Sequence, residues 1–198
     1  MILNHLWGIY THPKEEWHAI EQRHEDYSFS LSHILIISLI PAVMGYFSSV
    51  HLGWGIGVGD PIMLEQATGL VMAFGLYASL VGGVFGLAYM IHWMSKTFDS
   101  KPTYTQSLEV ASYTATPMYM VGFAAFYPEL WFIITVGLVG LSYSVYLLYT
   151  GVPIVMRIPE DEGFIYASSV VTVGLIFLVV MMTGSIVAWE WIISPLLS

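Results

Sequence analysis

Five apolar runs decide what this chain can become. They cover about residues 31–50, 66–94, 107–127, 130–152 and 164–193. A helix rises about 1.5 Å per residue, so roughly 20 residues cross the ~30 Å hydrocarbon core of a bilayer. Charged residues make up only 10% of the 198, against 57% hydrophobic, and mean hydropathy is +0.72. Soluble domains carry about 25% charged residues. The pattern predicts an all-α membrane protein, a bundle of five transmembrane helices, rather than a soluble all-α domain. The chain has no cysteine, which excludes disulfides, iron–sulfur clusters and thiolate zinc sites. Its net charge of −9 argues against nucleic acid and against a polybasic lipid patch.

Residues 1–30 are polar with aromatic punctuation and form a cytoplasmic N-terminal segment. Residues 11–26 read as a short amphipathic helix. Thr11 or His12 caps it, Pro13 suits its first turn, and Glu15 and Glu16 favour its positive end. Trp17 and Ile20 share one face, which places the helix on the membrane surface or against the bundle. A loosely ordered arm is the plainer reading. Nothing here resembles a cleaved signal, so the first span is expected to be an uncleaved anchor. Residues 31–193 form the transmembrane domain, and 194–198 an outer tail.

Between the first two spans, glycines at 53, 55, 57 and 59 forbid a helix. No strand precedes this loop and no Lys-Ser/Thr follows it, so it is not a phosphate loop. In the second span Gly75, Ser79, Gly82, Gly83 and Gly86 recur at helical spacing, a smooth face for close helix packing. Orientation follows from charge. Five spans put the N-terminus and the 95–106 and 153–163 loops on one side. Lys14, Arg23, Lys96, Lys101 and Arg157, all the basic residues, lie there. Basic loops stay in the cytoplasm, so the N-terminus is expected inside and the C-terminus outside. Trp54, Trp131, Trp189 and Trp191 then mark the outer interface, and Trp93 the inner one.

The third span is the odd one, because Tyr113, Thr114, Thr116 and Pro117 sit within it. Proline removes a backbone donor and frees a carbonyl, which hydrocarbon cannot satisfy. The other spans are therefore expected to pack around it. Tyr113 lies about 9 Å in from the cytoplasmic end, and Tyr146 of the fourth span at the same depth. Tyr143, Tyr146 and Thr150 share a face of span four; Tyr113, Thr116 and Pro117 share one of span three. His33, His92 and Glu109 lie near the same inner surface. Together these nine residues are a candidate polar pocket, open to the cytoplasm, for a proton, a cation or a lipid head group. The plainer reading makes the hydroxyls glue between helices.

His5, His12, His18 and His24 lie among acidic residues without a ligand pattern, so no metal is expected. No nucleophile elbow or facing acidic pair appears, so catalysis and cofactors are not expected.

Several segments, taken in order, resemble one family. They are Leu6-Trp-Gly-Ile-Tyr-Thr-His-Pro13 with Trp17 and Ile20; Trp54; Ser112-Tyr-Thr-Ala-Thr-Pro117; Tyr127-Pro128; and Leu147-Leu-Tyr-Thr-Gly-Val-Pro153. The layout resembles the Yip family of five-span membrane proteins, in its bacterial inner-membrane branch. Eukaryotic relatives carry Gly-Tyr-x-x-x-Pro in the third span; here Ser112 replaces the glycine. They also carry Asp-Leu-Tyr-Gly-Pro, absent here, and are similar to factors that bind prenylated Rab GTPases. That role is not carried over. The resemblance implies fold and an inner-membrane location.

The expected function is a non-enzymatic membrane protein that organises partner proteins or lipids. The rival is a small channel or transporter using the pocket between spans three and four. Partners are membrane lipids and a protein on the cytoplasmic side, with a homo-oligomer left open.

Overall fold

The computed structural model describes residues 2–23, 27–55, 59–98 and 100–188. Expectations concerning His24, the middle of the glycine loop, Trp189, Trp191, the end of the fifth run and the tail lie outside the described residues, as does the side chain of His5. Among the described residues seven α-helices form and no strand does. They are α1 (Ile2–Thr11), α2 (Pro13–Arg23), α3 (Tyr27–Phe47), α4 (Gln66–Met94), α5 (Tyr104–Met120), α6 (Leu130–Met156) and α7 (Glu160–Ala188). A π turn, Ser48–Leu52, extends α3. Tight 3₁₀ turns, Ser95–Phe98 and Val121–Phe126, extend α4 and α5.

The helix expected over 11–26 forms as α2, with Pro13 first, Glu15 and Glu16 in the first turn and Arg23 in the last. It lies against the bundle, packed on α6. Before it stands α1, which local sequence does not announce. Its end is held by a distant residue: the Tyr143 hydroxyl donates to the Ile9 carbonyl at 2.9 Å.

α5 starts at a capping box. Thr103 Oγ1 accepts from the Gln106 amide at 3.2 Å, and Gln106 Oε1 accepts from the Thr103 amide at 2.8 Å. Its residues 107–114 are all buried, because α3, α4 and α6 wall it in. A helix apolar on one stripe leaves one face out; a helix enclosed on every side must find partners for its polar groups inside. Three stretches of the described residues are long and apolar enough to cross a membrane: Tyr27–Leu52, Gln66–Phe98 and Leu130–Met156. Neither α5 nor α7 is among them, so three of the five expected spans meet that measure. The polar side chains of the buried stretch of α5 meet protein.

Contacts mark the two ends of the bundle. At one, Arg157 at the close of α6 pairs with Glu21 of α2, and Ser100 Oγ donates to the Met156 carbonyl at 2.8 Å. At the other, the Gly55 amide donates to the Pro128 carbonyl at 2.9 Å, and the Leu130 amide to the Gly55 carbonyl at 3.2 Å. The chain therefore runs alternately up and down through α3 to α6.

Three of the small residues of α4 do not pack as expected. A Cβ added at Gly75, Gly82 or Gly83 would meet nothing within 4 Å. These positions face outward, since helical spacing aligns small residues on a face without saying which face meets a neighbour. Close approach occurs elsewhere. A Cβ at Gly122 would stand 2.6 Å from the Pro41 Cα, where the turn after α5 crosses α3.

Candidate functional site

Helical periodicity puts Glu109, Tyr113 and Thr116 one above another on α5. His33 of α3 meets the last two. Its Nε2 lies 2.9 Å from Thr116 Oγ1, and its ring centre 4.9 Å from that of Tyr113. The Thr116 hydroxyl donates its one proton to the Ser112 carbonyl at 2.9 Å. It must then accept from His33, which assigns the proton to Nε2. His33, Glu109 and Tyr113 are each 1% exposed. Glu109 is the one buried carboxyl group among the described residues. An ionisable group so enclosed marks a functional candidate by default. Pro117 follows on the same helix, buried, and the α-helical turns end at Met120.

Trp17 of α2 closes this cluster. Its ring stands edge-on to Tyr113 with centres 6.1 Å apart, and both Trp17 and Ile20 are fully buried. Trp17 fits only because residue 151 of α6 is glycine. A Cβ there would lie 2.5 Å from Trp17 Cε2 and 2.7 Å from Cζ2. Burying an aliphatic side chain such as Ile20 contributes about 1.5–3 kcal/mol. Against that, Trp17 Nε1 is buried with no acceptor among the described residues, which costs about 1–3 kcal/mol. Outside, Arg157 Nε donates to Glu21 Oε1 at 2.7 Å. Arg157 holds a left-handed backbone, φ 53, as the cap of α6. The ion pair is largely solvated on the Arg157 side and holds α2 loosely.

The second half of the candidate pocket stands apart. Tyr143 turns its hydroxyl to α1, and its ring stacks on Tyr10 with centres 5.4 Å apart and 10° between planes. Burial of Tyr10, and then the neighbouring Tyr143, push its hydroxyl up to about 12. Tyr146 is 45% exposed, its ring centre 5.7 Å from that of Tyr143. The Thr150 hydroxyl bonds back to the Tyr146 and Leu147 carbonyls, each at 3.1 Å. With Leu138, Val139 and Ser142, the two tyrosines line a shallow outward groove. His92 sits at the end of α4, partly buried, edge-on to Tyr104 at 5.9 Å.

The structure therefore gathers His33, Glu109, Tyr113, Thr116 and Pro117, and leaves Tyr143, Tyr146 and Thr150 on another side. Equal depth fixes height along a bundle, not direction around it. α6 turns Leu147, Leu148 and Gly151 inward, so Tyr146 points away. The cluster is covered by α2 rather than open. Trp17 and Gly151 complete it. The signal for Trp17 was its shared face with Ile20 in an otherwise charged helix; for Gly151 no local signal exists. No group of three His, Asp or Glu placed to hold a metal occurs among the described residues.

Other hydroxyls tie helix to helix. Tyr119 donates to the Leu80 carbonyl at 2.7 Å, Tyr77 to the Leu35 carbonyl at 3.2 Å, and Tyr166 to the Ile91 carbonyl. These bonds join α5 to α4, α4 to α3 and α7 to α4.

Comparison with known proteins bears on the whole bundle. The family model described as the Yip1 domain matches residues 7–181. The protein named inner membrane protein YohC, from Escherichia coli strain K12, is 31% identical over 190 residues, 96% of this chain and 97% of its own. The protein of the same name from E. coli O6:H1 is similar to the same extent. No solved structure matches significantly. The matched span takes in the second half of α1, all of α2, the enclosed α5 and most of α7, and on this ground the chain belongs to the Yip1-domain family of membrane proteins.

Proposed function

We propose that this is a non-enzymatic, multi-pass protein of the bacterial inner membrane that organises partner proteins or lipids. Its α3 to α7 make five spans, with the N-terminus in the cytoplasm and the C-terminus outside. The observation that carries the organising role is how the bundle uses its hydroxyls. Tyr77, Tyr119, Tyr143 and Tyr166 each donate to a carbonyl of another helix, which ties the helices into a stiff frame and commits these four hydroxyl protons to packing. Five spans are supported by the alternation of α3 to α6, and by the length of α7, 29 residues. The orientation is supported by basic residues on α2 and on the loops at the Arg157 end. The name of the E. coli relative supports the location.

Partners have surfaces to meet: Trp7 is 74% exposed on α1, and Glu160, Asp161 and Glu162 stand open at the start of α7. The rival, a conduit for a proton, cation or small solute, draws on the buried Glu109 and His33. Sealed liposomes holding the purified protein separate the two. No flux of protons, potassium or zinc above empty liposomes is expected; flux that Tyr113→Phe reduces would replace the organiser with a conduit. A photo-crosslinking residue at position 7 is expected to trap a neighbouring protein or lipid in intact membranes. A reporter fused after Ser198 is expected outside, and its appearance in the cytoplasm would overturn five spans.

A further inference from the structure

We infer that α2 is a displaceable plug, seated by Trp17 in the notch at Gly151, whose release opens the buried Glu109–His33 cluster to water. This does not rest on the organising role. It rests on the unequal character of the helix and its seat. Of the eleven residues of α2, only Trp17 and Ile20 are fully buried; Lys14, Glu15, His18, Gln22 and Arg23 are polar and solvent-facing or partly so. Beneath α2 lie Tyr113, in edge contact with Trp17, and the imidazole of His33 behind it. The seat is thus a hole whose floor is polar and whose stopper is one indole.

Three features make the stopper removable. Its N–H gains an acceptor only by leaving, since it has none among the described residues in place. Among its outer fastenings is an ion pair, Glu21 with Arg157, whose Arg157 side is solvated. Its helix keeps its own backbone bonds on departure, so undocking breaks side-chain contacts alone. The bundle below keeps its helix-to-helix bonds through Tyr119 and Tyr77, which run from α5 to α4 and from α4 to α3. Release therefore uncovers the cluster without dismantling its walls.

The chain has no cysteine, so introduced thiols report cleanly. Spin labels at His18→Cys and Lys101→Cys measure the distance from α2 to the loop before α5, in the full-length protein in lipid nanodiscs. A pair at Asp60→Cys and Tyr127→Cys serves as control at the far end. In a separate protein, Glu109→Cys reports water access through its rate of modification by a small water-soluble thiosulfonate. Two variants disturb the seat from opposite sides: Trp17→Ala removes the stopper, and Gly151→Ala fills the notch. Each is expected to raise the longer-distance population, and the Glu109→Cys modification rate, by about tenfold, the factor for 1.4 kcal/mol of lost docking. The control pair is expected to stay unchanged. One unshifted distance in all proteins would overturn the inference. So would a control that broadens as much as the α2 pair, or a displaced α2 that leaves Glu109→Cys no more reactive.

Discussion

The two ends of this bundle are closed by different chemistry. At the Gly55 end the chain bonds to itself through its backbone. Trp54 and Ile62 exchange both amide-to-carbonyl bonds, at 2.9 and 3.0 Å, and the Leu64 amide donates to the Ser49 carbonyl at 2.8 Å. Gly55 links that loop to the turn before α6. At the Arg157 end, α2 is held by an indole, an isoleucine and an ion pair. Backbone bonds across chain segments are lost only when the segments themselves come apart. Side-chain contacts can be given up by a helix that stays a helix. One end is therefore built to stay, and the other can open while the rest persists.

The comparison breaks first at Gly53. Its φ of 79 belongs to glycine, and a Cβ there would lie 2.7 Å from the Pro61 Cβ. Gly53→Ala is expected to cost about 3 kcal/mol or more, read as lower thermal stability of the whole protein. Gly122→Ala drives a methyl at the Pro41 backbone and is expected to cost about 1–3 kcal/mol, again globally. A smaller effect is expected from Tyr143→Phe, about 0.5–1.5 kcal/mol, seen as faster amide exchange in α1 with α5 unaffected. The smallest is Arg157→Gln, under about 1 kcal/mol, confined to exchange in α2. Amide exchange of the unaltered protein sharpens the contrast: residues 13–23 are expected to exchange faster than the paired backbone around 54 and 62. Equal rates at both ends would remove the distinction.

Sequence reading reached the elements whose signals are local. Pro13 opens α2, and the run over 66–94 is α4. The run over 31–50 located α3 but not its start at Tyr27, because apolarity marks what lipid can accept and not where hydrogen bonding begins. The polarity around Tyr113 and Pro117 correctly singled out the enclosed helix. Direction around the bundle was beyond reach. Tyr146 shares the depth of Tyr113 and faces elsewhere, and Gly75, Gly82 and Gly83 of α4 meet no neighbour. Both depend on which neighbour stands where, which one segment does not encode. Trp17 sat in plain view, but its seat at Gly151 lies on another helix.

The enclosure of α5 also bears on how the protein is made. A segment carrying Glu109, Ser112, Thr114 and Thr116 is a poor candidate to leave the insertion machinery for lipid by itself. Its polar groups become acceptable only beside α3 and α4, which are synthesised before it, and α6, which comes after. The central helix thus depends on its elders for admission and on its successor for closure. With the five spans proposed above, assembly of this bundle is expected to be cooperative between neighbouring helices rather than a series of independent insertions.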